Sequence, residues 1–407
     1  MIYSNEVFTT VWFASRNRDK KHSRNTQQPG VSADQIKRPP MVEITPHAVQ
    51  QIARGPKNLF AESINYNIFM LSKRLPDPNL VFDHFKLGRR SHREVAIAYL
   101  KDVANPGIVL EIKDRIENIK AETILDASYV ERNIEDSHLS PFPQLERTTR
   151  PDVAESALLQ GRIAVFVDKS PDVLLAPATL FDLLDTPDDA YRRWFVASSF
   201  FRIARYVMLL TTAFLPAFYI ALTTYNPELI PTVFAFAIAE AWEGLPLPIY
   251  LEAFVMMGIA EAIRMVMLRM PTPAGQTIAL FTGLTLVIAG LSANLVGAPI
   301  VMIVTLTVLA SMAIPNFDLR SSVRMIQFFT MFMASILGIF GLTVAFFYIS
   351  VHLVILKSFG IPYLSPLAPI EASGWGHTIL RESTVDMPRD ETYKPNAKTE
   401  TKGDADE

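Results

Sequence analysis

Polar and apolar positions divide this 407-residue chain into two regions of different character. From residue 1 to about residue 205 charged side chains recur throughout, as they do in a soluble protein. Residues 206–227, 270–317 and 325–356 contain no Asp, Glu, Lys or Arg. A bilayer core takes roughly 20 apolar helical residues, so these stretches are expected to be membrane spans.

Within the first region, Leu59, Ser63, Tyr66, Ile68, Met70 and Leu71 recur at spacings of three and four, which predicts an amphipathic helix ending before Pro76. Residues 94–100, Glu-Val-Ala-Ile-Ala-Tyr-Leu, read as a buried strand. Pro106 opens a helix with Ile108, Ile112, Ile116 and Ile119 on one face and Glu111, Lys113, Asp114 and Glu117 on the other. A short helix is expected over 152–160. Two strands over 162–168 and 172–177, joined by Lys169-Ser170-Pro171, read as a hairpin.

In the second region a helix from about Asp188 runs to the membrane and a first span covers 203–224, with Pro216 as an expected kink. Residues 230–242 are too short to cross alone, and Pro246 and Pro248 then break the chain. Such an interrupted segment suggests a re-entrant or discontinuous helix, tolerated where it is buried in protein or lines a cavity. Further helices are expected over 247–263, 277–295, 299–314 and 326–349, the last being the final long span. The fold class is therefore an α/β soluble N-terminal domain followed by an all-α polytopic transmembrane bundle of about five spans, with a range of roughly four to six. The expected divisions are a disordered or atypical leader (1–53), the α/β domain (54–190), the transmembrane domain (191–370) and a charged disordered tail (371–407).

Composition narrows this picture. The formal net charge of −3 argues against a nucleic-acid binder, and the absence of cysteine excludes disulfides, thiolate nucleophiles and Cys-based metal sites. At the N-terminus the short apolar stretch precedes the basic residues, the reverse of a secretory signal. Arg192, Arg193, Arg202 and Arg205 flank the first span, with Arg264, Arg269, Arg320 and Arg324 at later ends, and the positive-inside bias puts the soluble domain on the cytoplasmic side. An odd number of spans leaves the C-terminal tail outside; if 230–242 or 352–367 turns back, the tail stays inside.

Candidate chemistry centres on carboxylates in apolar surroundings, where ionisable groups are costly unless they face protein or water. Glu240 and Glu243 share a helix face, whereas Glu252 and Glu261, nine apart, fall on opposite faces at about 100° per residue. A single row of four carboxylates is thus not expected. Glu240, Glu243, Pro246, Pro248 and Glu252 form the candidate pore or cavity, with Glu243 and Glu252 flanking the proline break. The alternative is that these glutamates cap helix ends or bond freed backbone N–H groups. Glu261 and Arg264, at i and i+3, are expected to be a structural ion pair. His352 is read as an ordinary interfacial histidine. No phosphate loop, His-Glu-x-x-His or Gly-x-Ser-x-Gly is present, so neither catalysis nor a cofactor is expected.

From residue 54 to 369 the chain resembles the A subunit of the GerA-type spore germination receptors. The matching residues are Arg54-Gly-Pro, Phe60 and Glu62, Asn67-Ile, Lys73-Arg74, Gly88, Tyr99-Leu, Pro141-Phe-Pro-Gln, Arg150-Pro-Asp and Gly161-Arg162 in the soluble part. In the membrane part they are Glu243-Gly-Leu-Pro-Leu-Pro, Glu252, Glu261 with Arg264, Arg269-Met-Pro, Gly275 and Ser358-Phe-Gly-Ile-Pro-Tyr-Leu-Ser-Pro. The resemblance implies a membrane subunit that works with a transporter-like B subunit and a lipoprotein C subunit in the spore inner membrane. It also implies a homo-oligomeric, nutrient-gated ion path in lipid. The family pattern has two α/β subdomains before the membrane; here residues 1–50 stand in place of most of the first, which suggests a truncated gene or a misassigned start. Trp242 stands where the pattern is basic, Met257 and Met265 where it is usually acidic, and Ile288-Ala289-Gly290 where it is rich in Gly, Gln and Ala. The alternatives are a secondary transporter of a small solute, although no internal repeat is visible, and a non-conducting membrane scaffold.

Overall fold

The computed structural model describes residues 31–32, 58–186, 195–270, 272–369 and 393. The expected leader and tail therefore lie outside the described residues, apart from Val31–Ser32 and Tyr393. The same holds for residues 187–194, where the helix leading to the membrane was expected to begin.

The N-terminal part is built on one antiparallel sheet. Its strands are β1 (Val31–Ser32), β2 (Leu80–Leu87), β3 (Arg93–Leu100), β4 (Glu146–Thr148), β5 (Ile163–Val167) and β6 (Val173–Ala176), in the spatial order β1-β2-β3-β5-β6-β4. The expected hairpin is present, with Ile163 opposite Ala176 and Phe166 opposite Val173. Successive side chains of a strand point to opposite faces, and here both faces are covered. Val95, Ile97, Val165 and Leu174 meet helices α2 (Pro106–Glu117) and α3 (Ala127–Ile134). Ala96, Ala98, Phe166 and Leu175 meet α1 (Ile64–Arg74) and α4 (Pro151–Leu159). Burial on both faces explains why β3 and β5 are continuous apolar runs rather than alternating ones. A short helix, α5 (Leu180–Leu184), closes this part with a capping box between Thr179 and Asp182.

The C-terminal part is mostly helical: α6 (Phe195–Tyr225), α7 (Thr232–Trp242), α8 (Ile249–Arg269), α9 (Pro273–Ser292), α10 (Ala298–Met312) and α11 (Phe317–Ile355). Three described helical stretches, Ala197–Tyr225, Ala274–Ser292 and Phe317–Ile355, are long and apolar enough to cross a membrane. Their exteriors carry large exposed apolar side chains, among them Phe218, Phe281 and Phe340, a surface suited to lipid or to other protein rather than water. Helix α6 runs on through Pro216. The break expected at Pro246 and Pro248 separates α7 from α8.

One expectation is corrected. The final apolar run is not a single straight span over 326–349, because α11 reverses at Gly338, whose φ of 60° and ψ of −137° are non-helical. Ser322 donates to the Pro141 carbonyl and His352 shares a 2.9 Å hydrogen bond with the adjacent Ser140. Thirty residues of straight helix would hold those two positions about 45 Å apart. Phe329 and Tyr348 likewise meet across the two arms, with ring centroids 5.8 Å apart. The reversal is held by Tyr225 at the end of α6. Its hydroxyl donates to the Ser335 carbonyl at 2.6 Å and lies 3.1 Å from that of Ile336, oxygens that a broken helix leaves without their usual partners.

A side chain at Gly338 would be strained by the positive φ, and its Cβ would lie 2.8 Å from Tyr225 Cβ and Cγ. Gly338→Ala should therefore lower stability by about 1–3 kcal/mol from backbone strain alone. The measurement is the thermal unfolding midpoint of the purified chain in detergent; a midpoint equal to that of the unmodified chain would count against this turn.

Candidate functional site

The proline break sits at the end of α6 remote from the sheet. Thr224, Trp242, Pro248 and Tyr250 line a cleft of about 210 Å³ there. Helix α7 ends at Trp242, Gly244 takes a φ of 87°, and Pro248 caps α8. Glu252 falls in the first turn of α8, where its backbone N–H bonds the Pro248 carbonyl at 3.0 Å. Its side chain crosses to the start of α10, and Oε1 accepts from the Gly297 N–H at 2.5 Å. A carboxylate placed at two helix N-termini meets the positive ends of both dipoles. Glu252 is only 1% exposed, and its Oε2 has no hydrogen-bond partner among the described residues. Tyr219 and Trp242 pack in the same apolar cluster, the indole N–H of Trp242 turned towards the Tyr219 hydroxyl.

The other sequence candidates are placed differently. Glu240, Glu243, Pro246 and Pro248 are exposed on the single chain, so Glu243 and Glu252 do not share a cavity within one copy. Helix α7 buries none of its residues, and Val233 and Phe236 are exposed. Glu261 and Arg264 form an ion pair at 3.2 Å, with Arg324 of α11 3.6 Å from the same carboxylate and Arg264 3.4 Å from the Ser311 hydroxyl. This cluster ties α8, α10 and α11 together at the end of the bundle nearer the sheet.

A third group was not anticipated from sequence. The loop from Ser140 to Gln144 lies between the two arms of α11, bonded to His352 and Ser322, with Phe142 stacked on His352 at 5.9 Å and packed against Tyr363 at 6.1 Å. The segment after α11 makes a tight hairpin of β7 (Lys357–Ser358) and β8 (Ile361–Pro362). Phe359 and Gly360 both have positive φ, as a two-residue type I′ turn requires. This hairpin docks on the sheet-bearing part: Ser358 Oγ donates to the Gln144 carbonyl at 2.6 Å and Phe359 N–H to Asp136 at 2.8 Å. The Leu180 N–H donates to the Tyr363 carbonyl at 2.9 Å. Two matching segments more than 200 residues apart, Pro141-Phe-Pro-Gln and Ser358-Phe-Gly-Ile-Pro-Tyr, thus pack on each other. Only their joint presence in the family pattern could have signalled this, because neither has a periodicity that names its partner.

Residues 29–393 match the family model described as Bacillus/Clostridium GerA spore germination protein. The chain belongs to the GerA family. It is 40% identical over 318 residues to the uncharacterized membrane protein YfkQ of Bacillus subtilis (strain 168), covering 78% of this chain and 62% of that protein. It is 36% identical over 353 residues to spore germination protein A1 of the same organism, covering 87% and 73% respectively. A crystal structure of the N-terminal domain of the A subunit of the Bacillus megaterium spore germinant receptor GerK3 is 41% identical. That match covers 30% of this chain and 98% of the crystallised one, with a TM-score of 0.26. The chain thus spans under two thirds of YfkQ and about three quarters of protein A1.

The junction between sheet and bundle also carries a titratable group near neutrality. Burial first, then the nearby Glu131 and Asp318 carboxylates, push Glu135 at the end of α3 from 4.5 to about 7, while Arg132 and Arg147 act in the opposite sense. A folded-state pKa above the unfolded one means the native state binds more protons between those values, so stability falls as pH rises through this window. Glu135→Gln should flatten that part of the profile. Urea unfolding midpoints at pH 5 and pH 8 check it, and an unchanged difference between them would exclude Glu135 as the source.

Proposed function

We propose that this GerA-family chain is a membrane-integral, non-enzymatic subunit of a nutrient-responsive spore germination receptor, and that copies of it assemble into a gated ion path. One observation carries the site: Glu252, a carboxylate 99% buried by its own chain and held by a single backbone N–H, at a helix break inside an apolar bundle. An uncompensated carboxylate is costly in such surroundings, which favours a role for its free oxygen. Exposed Glu240 and Glu243 then belong to the surface between copies, where the unburied face of α7 supports homo-oligomeric packing.

The same reading places the bundle in the spore inner membrane or the bacterial cell membrane, with B and C receptor subunits as partners. The α/β domain (54–190) lies on the cytoplasmic side. The doubling of α11 supports six passages, formed by α6, α8, α9, α10 and the two arms of α11, with α7 re-entrant. An even number returns the chain after α11 to the sheet side, in keeping with the docked β7–β8 hairpin. The arginines of the Glu261 cluster lie at that same end, where the positive-inside bias favours cytoplasm.

A non-conducting scaffold is the second reading, favoured by the Glu252–Gly297 bond. Two substitutions separate them. Glu252→Gln removes the charge yet keeps a carbonyl oxygen able to accept from Gly297, whereas Glu252→Ala removes both. In vesicles containing this chain and its partner subunits, the ion-path reading expects nutrient-triggered flux to fall about tenfold or more in both variants. Flux retained in Glu252→Gln and lost only in Glu252→Ala would make the glutamate a structural tie.

A further inference from the structure

Three arginines converge at the end of the bundle nearer the sheet, remote from Glu252. Arg264 of α8 and Arg324 of α11 share Glu261, at 3.2 and 3.6 Å, and it is the only carboxylate paired with either among the described residues. Arg320, one turn before Arg324, spends Nε and Nη2 on the Ile314 carbonyl just beyond α10, at 3.1 and 2.5 Å. The charges of Arg320 and Arg324 both reach Arg264. Asp318, in the first turn of α11, acts instead on Glu131, Glu135 and Arg147 across the junction with the sheet. Three guanidinium groups thus face one carboxylate, a surplus of two positive charges.

The ion pairs are also long. A charge-assisted hydrogen bond between guanidinium and carboxylate runs about 2.7–2.9 Å, whereas Glu261 stands 3.2 and 3.6 Å from its two arginines and the Ser311 hydroxyl 3.4 Å from Arg264. The Arg264 and Arg324 side chains are 15% and 14% exposed, so the cluster opens on its surroundings. A guanidinium presents five N–H donors in a planar fork that matches two oxygens of a phosphate, and like charges held together gain from a further anion between them. The border of the cluster narrows the source of that anion. Met265 and Leu268 of α8 and Leu309 and Met312 of α10 are exposed apolar side chains beside it. A free anion gains nothing from such a border, whereas a phospholipid can lay its acyl chains along it while its headgroup meets a basic pocket between helices. The surplus of positive charge favours a headgroup of net negative charge over a zwitterionic one, whose ammonium it would repel.

We propose that Arg264, Arg320 and Arg324 bind the phosphate of an anionic phospholipid. The site joins α8, α10 and α11, and α8 carries Glu252 in its first turn, at the opposite end. A bound lipid would therefore brace the helix on which that carboxylate is mounted. The inference rests on the membrane-integral reading of the bundle, but lipid binding to the purified chain involves neither flux nor germination, so the site and the ion path can each fail alone.

Isothermal titration of the full chain in non-ionic detergent tests this, with short-chain phosphatidylglycerol, phosphatidylcholine of the same chain length and inorganic phosphate as probes. Phosphatidylglycerol is expected to bind saturably, about tenfold or more tighter than either of the others, and more weakly as salt rises. Arg324→Gln leaves Glu261 paired with Arg264 and Arg320 on its carbonyl, and should weaken phosphatidylglycerol binding about tenfold. Arg269→Gln, at an exposed position ending α8, controls for diffuse attraction and should leave binding unchanged. The comparison of probes on the unmodified chain stands whether or not a variant folds. The proposal is overturned if phosphatidylglycerol shows no saturation, if phosphatidylcholine or inorganic phosphate binds as tightly, if folded Arg324→Gln binds it normally, or if Arg269→Gln weakens it as much as Arg324→Gln.

Discussion

The reversal of α11 is the constraint on which the remaining arrangement depends. Because the helix doubles back at Gly338, its first and last turns both end beside one short loop, where Ser322 meets Pro141 and His352 meets Ser140. That loop belongs to the sheet-bearing part, whose last strand and capping helix also receive the β7–β8 hairpin through Ser358 and Tyr363. A straight α11 would carry its end some tens of ångströms away and leave Ser358, Phe359 and Tyr363 without their buried partners. The turn at the remote end of the bundle and the docking at the near end are therefore one structural fact.

The same geometry ties the two ends of the bundle together. Helix α6 lies against both arms of α11: Thr330 donates to the Ala213 carbonyl at 2.7 Å from one arm, and Phe346 packs on Phe214 at 5.7 Å from the other. Its near end is gripped by Asp185 and its far end clamps the Gly338 turn through Tyr225. Packed helices of this kind shift between discrete arrangements rather than bending continuously. The loop at Phe142 is thus tied through the two arms of α11 and through α6 to the cleft beside Glu252.

Much of the sheet-bearing part was legible because burial on both strand faces writes itself as unbroken apolar runs, as in β3 and β5. The missed strand, β2, contains Asp83, His84 and Lys86, and two of these polar positions are met from other elements, Asp83 by Lys113 of α2 and His84 by Glu94 of the neighbouring β3. Helix α3 was missed for a related reason: it is eight residues long, and its buried Glu131 is paired with Arg147 on β4. Glu131 is thus a buried position disguised as a polar one, whereas His84 and Lys86 are simply exposed positions of an edge-side strand. In the bundle the proline break was readable because Pro246 and Pro248 remove backbone donors whatever their surroundings. The Gly338 turn was not, since hydropathy measures transfer into lipid, and two arms joined by an apolar turn satisfy that measure as well as one long helix.

Glu252 shows where such reading stops. A carboxylate between apolar runs announces a cost, but the group that meets part of it is the backbone N–H of Gly297, 45 positions away. Every residue other than proline carries that donor, so no side-chain pattern can single it out. What makes Gly297 available is its position as the residue capping α10, where the first N–H groups of a helix have no internal acceptor. The bond therefore serves both helices: α10 gains a cap, and α8 keeps an ionisable residue buried in its first turn. One oxygen is spent on structure. The second, unpartnered among the described residues and facing an apolar cluster that also holds the Tyr219 hydroxyl and the Trp242 indole N–H, is the part of the site that the fold leaves unused.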